Sequence, residues 1–361
     1  LSANSKEQIN MSRIMQHIVF AMTGSIMLGA VSPLSAAESG TDSLSHQPIN
    51  IEEWQVPWPN TRPRDPFVAP DGRVWFVGQG GDYAAVFDPA DASFARIDMP
   101  DGAGPHNLIV DASGIIWYAG NQAAHIGRID PDAASGEQIR QYPTPKDQAK
   151  DPHTLIQASD GRIWFTAQWS NSIGVFDPAT GSVNMLDVPT ARARPYGIDL
   201  DSNGHPWVVL LGSNKLVHID PASMRLQEIE LPRADARPRR IAITSDDRIC
   251  YVDYAEGYLG CYQPGQQQFS EWPTPGRSHS GAGASGPYAM AVDNHDRLWF
   301  VETFPDPNRF VGFDLASASF ISVTGIPSGA GAVRHMVFDA ERNAIWFGTD
   351  TNMLGRADLP E

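Results

Sequence analysis

Pro152-His153-Thr154-Leu155-Ile156, a turn at Ser159-Asp160-Gly161, then Ile163-Trp164-Phe165, and then Ile173-Gly174-Val175-Phe176-Asp177-Pro178 make up one unit, and its repetition decides the fold. The centre of the unit recurs as Val74-Trp75-Phe76, Ile116-Trp117-Tyr118, Pro206-Trp207-Val208, Ile249-Cys250-Tyr251, Leu298-Trp299-Phe300 and Ile345-Trp346-Phe347. Subtracting residue numbers gives spacings of 42, 47, 43, 43, 49 and 47 between successive centres. A period in the forties, built of short alternating apolar and polar runs punctuated by Asp, Gly and Pro, is that of a four-stranded propeller blade. Seven copies predict an all-β, seven-bladed β-propeller. The seventh copy runs out at Glu361 after its third strand, while Ile49-Asn50-Ile51-Glu52-Glu53-Trp54-Gln55-Val56-Pro57 has the outer-strand pattern. That N-terminal strand is expected to complete the last blade and close the ring, protecting its edges.

The composition fits a globular chain with a sizeable core: 42% of the 361 residues are apolar and 19% charged. A formal net charge of −16 without clustered Lys and Arg argues against a nucleic-acid partner. Met11-Ser12-Arg13, the apolar run from Ile18 to Leu28, broken by Thr23-Gly24-Ser25, and Ser35-Ala36-Ala37 together read as a secretory signal. The expected division is therefore 1–37, an upstream extension and signal peptide, and 38–361, the propeller, exported to the periplasm or medium with no membrane span in its mature form. Cys250 and Cys261 flank a hairpin, and export makes a disulfide between them possible. A propeller closes on itself, so a monomer is expected.

The first strand of each blade lines the central channel, and the position after its Pro samples one ring of side chains. That ring reads Arg64, His106, His153, Tyr196, Arg239, Tyr288 and, with Val333 in place of Pro, Arg334. Seven polar or cationic side chains at one position favour a pocket for a small-molecule or peptide ligand. Asp151 stands two residues before His153, a spacing that puts both on one face of a regular strand, and Gln168 ends the following Trp strand. A His with an adjacent carboxylate suits proton transfer, whereas hydrogen bonding in a wet channel is the plainer use of the same residues. His125, His205, His218, His279 and His295 fall on third strands, turns or linkers and read as structural or solvated. The stretch from Arg277 to Gly286 reads as a mobile connector.

The elements Gly104-Pro105-His106, Arg194-Pro195-Tyr196-Gly197-Ile198, Ile163-Trp164-Phe165-Thr166, Ile126-Gly127-Arg128-Ile129 and Tyr142-Pro143-Thr144-Pro145 resemble the repeat unit of the streptogramin B (virginiamycin B) lyases, from about Ile49 to Leu359. The resemblance implies Mg²⁺-dependent elimination at the ester of a cyclic depsipeptide antibiotic. By it, His153 would be the general acid/base, removing a proton next to the ester carbonyl as an alkoxide leaves. His106 would lie on the substrate side, Asp151 would hold the metal, and Gln168 would stand where the family has a second metal-binding Glu. Two departures are visible. The family carries its histidine pair in the last two blades, whereas here it is in the second and third, and Gln168 lacks a charge. A replacement acid is conceivable at Glu302 or Asp350. A non-catalytic exported propeller that binds a peptide, cell-wall fragment or protein is the alternative, favoured by the arginines of the ring. A lactonase of the gluconolactonase type, with six blades and a carboxylate-rich Ca²⁺ site, fits less well.

Overall fold

The computed structural model describes residues 47–145, 151–281 and 284–361; the stretch read as a secretory signal lies outside them. Seven four-stranded antiparallel sheets form the blades. Blade 3, for example, runs Pro152–Gln157, Ile163–Ala167, Ser172–Asp177 and Ser182–Asp187 from channel to rim. Blade 7 consists of Val333–Asp339, Ala344–Thr349 and Met353–Asp358, and its outer strand is Asn50–Gln55, paired antiparallel from Asn50 with Asp358 to Gln55 with Met353. No helix among the described residues is long and apolar enough to cross a membrane.

The Trp of each repeat holds neighbouring blades together. Second strands are buried on both faces, and their side chains alternate between the two flanking blades. Trp75 packs with Leu108 and Tyr118 of blade 2, Trp164 with Ile198 and Val208 of blade 4, and Trp346 with Phe76 and Phe87 of blade 1. In blades 2, 3 and 7 the aromatic residue after the Trp points the opposite way, onto a glycine of the third strand: Phe165 pairs with Gly174, Tyr118 with Gly127 and Phe347 with Gly355. A Cβ on Gly174 would lie 2.1 Å from Phe165, so this glycine is required by close approach. Cys250 takes the Trp place in blade 5 and is joined to Cys261, its cross-strand partner, in a disulfide.

The expectation of a mobile connector at residues 277–286 is corrected in its first half. Pro275–Ser280 is a short helix. The backbone N–H of Gly276 donates to the buried Glu302 carboxylate at 2.7 Å, and the Ser285 hydroxyl donates to the same oxygen at 2.8 Å.

Candidate functional site

Each first strand carries a bulge within its first residues, directly after the opening residue in six blades and after Arg64 in blade 1. In blade 3, Pro152 pairs with Ala167 but Leu155 with Phe165, so one extra residue is inserted, and the same shift occurs in the other six blades. A bulge breaks the in–out alternation. Two consecutive residues per blade therefore face the channel, where simple strand periodicity allowed one.

The first layer is the ring read from the sequence. The His106 and His153 rings lie 3.6 Å apart between centroids, and His153 lies 4.2 Å from the Tyr196 ring. The Tyr196 and Tyr288 hydroxyls are hydrogen-bonded to each other. The Arg239 guanidinium sits 3.5 Å from the centre of the Tyr288 ring and 4.1 Å from that of Tyr254. Arg64 donates to Asp65 and Gln79 at 3.0 Å each, and Arg334 is paired with Asp350 at 2.5 Å.

The second layer, which strand alternation alone misses, consists of Asp65, Asn107, Thr154, Gly197, Arg240, Ala289 and His335. Arg240 reaches across the channel, donating to the Arg334 carbonyl at 2.9 Å and the Thr154 hydroxyl at 3.1 Å, and lies 3.5 Å from an Asp65 oxygen. Asn107 donates to Asp65 at 3.1 Å and accepts the Leu155 N–H at 2.8 Å. The small residues at 197 and 289 leave room for this crossing. Beyond it, Leu108, Leu155, Ile198, Ile241, Met290 and Met336 line an apolar cavity of about 460 Å³. The two layers thus form the polar floor of a funnel.

The local field is strongly positive. Burial alone would raise the Asp65 carboxyl, but Arg64 and Arg240 hold it well below the usual carboxylate range. Burial and the surrounding guanidiniums push His106 and His153 well below the ordinary imidazole value, so both are neutral at neutral pH. His335 is driven to about 4, first by burial and then by Arg240. Burial would also raise the Tyr288 phenol, yet Arg239, Arg64, Arg240 and Arg334 bring it below its ordinary value.

The carboxylate preceding His153 is occupied elsewhere. Asp151 accepts the Trp169 N–H at 2.5 Å on one oxygen, and the Ser170 N–H at 3.0 Å and Ser170 hydroxyl at 2.7 Å on the other, so it fastens the turn after the second strand. Glu302 is fully buried and paired with Arg309 at 2.6 Å, and Asp350 serves Arg334. A hard cation requires several oxygen ligands. Among the described residues the carboxylates near His153 are Asp151, taken up by the turn at 169–170, and Asp65, paired with Arg64 and Arg240; Gln168 adds only a neutral amide, and the field there is cationic. These residues do not fit the Mg²⁺ site that the resemblance implies.

Trp169 is 68% exposed and Phe304 47% exposed, on the turns after the second strands of blades 3 and 6. Those turns lie at the mouth where the first strands begin, and Phe304 packs 5.2 Å from Tyr254 on the corresponding turn of blade 5. The sequence carries a signal for these two: each aromatic stands five residues after its blade's Trp, where blades 1 and 4 have Gly80 and Gly212.

A family model for the virginiamycin B lyase family matches residues 43–304, well over half of the chain. A solved streptogramin B lyase is 22% identical, with 86% of this chain and 98% of that chain covered and a TM-score of 0.76. The virginiamycin B lyase from Staphylococcus aureus is 21% identical, with 86% and 100% covered and a TM-score of 0.76, and a catalytically inactive variant solved with quinupristin gives the same values. The WD40 propeller of Doa1, at 11% identity, covers 87% of this chain and 97% of that one with a TM-score of 0.68, a likeness of fold alone. The chain matches no curated protein sequence.

Proposed function

Because the chain belongs to the virginiamycin B lyase family, we propose that it is an exported carbon–oxygen lyase that opens a cyclic depsipeptide ester in the polar funnel, with His153 as the proton acceptor. The observation that carries this reading is the pair of neutral imidazoles, His106 and His153, 3.6 Å apart within a ring of arginines and tyrosines. A neutral imidazole accepts a proton, and positive charge fixed beside it stabilises an anion as it develops. His106, Arg64, Tyr196, Arg239, Tyr288 and Arg334 form the substrate-binding wall, and the exposed Trp169 and Phe304 offer apolar surface for a hydrophobic macrocycle.

The chemistry is a β-elimination. His153 takes the proton from the carbon β to the ester oxygen, the released electron pair becomes a carbon–carbon double bond, and the alkyl carbon–oxygen bond breaks. The group that departs is a carboxylate, a far weaker base than the alkoxide of the earlier expectation. A carboxylate is also what Arg239, whose buried Nε has no hydrogen-bond partner among the described residues, is suited to receive. The arginines supply the positive charge that the family is expected to draw from Mg²⁺, and in this reading Asp151 positions the turn carrying Trp169. The Cys250–Cys261 disulfide supports export to an oxidising compartment.

Mass spectrometry of a type B streptogramin incubated with the purified protein tests the reading, with Mg²⁺ or a chelator and with His153→Ala alongside. The expected result is a linear product of unchanged mass, formed in chelator as well, with a rate at least about a hundredfold lower in His153→Ala. A product heavier by one water, or a fully active His153→Ala, would overturn it. The cationic ring also favours a second reading, a propeller that binds an anionic ligand without turnover. Saturable binding with no product would select that one.

A further inference from the structure

Blade 4 departs from the other blades at the end opposite the polar funnel, and from this we infer a transition-metal site formed by Asp201, His205 and His218. Asp201 and His205 belong to the turn between Pro195–Leu200 and Pro206–Leu210, and His218 lies on Lys215–Asp220, opposite Trp207 in the ladder. One ligand atom from each of the three lies within 4.8 Å of the others, and all three residues are half-buried. Among the described residues no other group of three His, Cys, Asp or Glu meets this condition.

The spacing is that of two ligands on one ion. His205 Nδ1 and His218 Nε2 are hydrogen-bonded to each other at 3.1 Å, a contact that an ion between them would replace. Two imidazole nitrogens, each about 2.05 Å from a shared ion, are separated by about 2.9 Å at a right angle and about 3.3 Å at the tetrahedral angle. The third ligand is already oriented. Asp201 Oδ1 accepts the N–H groups of Asn203 and His205 at 3.0 Å each, and Oδ2 accepts Trp207 Nε1 at 3.1 Å, leaving a lone pair free on Oδ2. An outer hydrogen bond of this kind fixes a ligating carboxylate.

The repeats supply an internal control. Asp111, Asp293 and Asp339 clamp their blades' Trp as Asp201 does, so the acid alone is structural. What is particular to blade 4 is the pair of imidazoles. The place of His205 is held by Arg73, Arg162, Arg248 and Arg297 in blades 1, 3, 5 and 6, each in an ion pair with an Asp of its own turn. Blade 4 has given up that pair for a second imidazole facing His218. A cavity of about 240 Å³, lined in part by Asp160, Trp164, His205 and Asp220, adjoins the site and admits water as a further ligand. Two nitrogens and one oxygen select Zn²⁺, Ni²⁺ or Cu²⁺ over Mg²⁺ or Ca²⁺.

The test is calorimetric titration of the full, chelator-treated protein with ZnCl₂ and, separately, MgCl₂. The expected result is one Zn²⁺ per chain in the micromolar range, weakened at least about thirtyfold by His205→Asn and His218→Gln together, with no Mg²⁺ binding that those substitutions alter. His205→Asn alone serves as the second variant should the pair fail to fold. Because the funnel also holds imidazoles, His106→Asn with His153→Asn is titrated in parallel and should leave this Zn²⁺ site intact. Absence of Zn²⁺ binding, binding unchanged in the blade 4 variants, or its loss in the funnel variant would overturn the proposal. The blade 4 substitutions are expected to leave any streptogramin turnover in the funnel unchanged, so this site and the funnel reading stand or fall separately.

Discussion

His335 sits in the second layer of the funnel, half-buried at the edge of the apolar cavity, with Nδ1 unpaired among the described residues and Arg240 and Asp65 beside it. Its protonation constant falls from an ordinary 6.5 to about 4 on folding, so between those values the unfolded chain holds more protons than the native one. Stability from this residue is complete above pH 6.5 and declines as the solution is acidified, by about 3 kcal/mol at pH 4. His106 and His153 act in the same direction. Urea unfolding of the wild type and His335→Gln, followed from pH 7 to pH 4, should show a shallower decline in the variant; parallel curves would contradict it. At this scale the sequence was half legible. The residue after each Pro was readable because the repeats align it. Asp65, Arg240 and His335 were not, because a bulge adds its extra residue without leaving a mark in the pattern of apolar positions. Asp151 misled for another reason: the strand begins only at Pro152, so a spacing of two across its start does not put both residues on one face.

In blades 2, 3, 5 and 7 the glycine opposite the aromatic of the second strand is the position least open to change. Gly174→Ala would place a methyl group 2.1 Å from the Phe165 ring, and the ring is held between blades 2 and 3. The expected loss is about 1–3 kcal/mol in chemical unfolding, and a variant as stable as the wild type would mean that the two strands separate more easily than their packing suggests. Blade number and strand order were legible, since the unit is written seven times; the turning of the Trp and of the residue after it toward opposite neighbours became visible only in the structure. A feature written only once was harder to read. The Pro275–Ser280 helix is too short and too rich in Ser and Gly to betray itself, and what fixes it is the distant Glu302.

The ring closes through one strand contributed from the other end of the chain. Trp54 on that strand packs 5.0 Å from Phe87 and 5.6 Å from Trp346, joining blades 7 and 1. Trp54→Ala should cost about 2 kcal/mol, and removal of all residues through Val56 should leave an open strand edge and a protein that associates, measurable by light scattering. A truncated protein that remained monomeric and as stable as the parent would show that the strand is only an ornament. The closure was foreseen from the missing outer strand of the last repeat, yet it also governs timing. A ribosome adds about 5–20 residues per second, and Asn50 pairs with Asp358, 308 positions later. The first strand to emerge therefore waits about 15–60 s for its partner. During that interval six blades can assemble while the seventh cannot, so an interrupted nascent chain carries an unfinished edge that sets it apart from the completed protein.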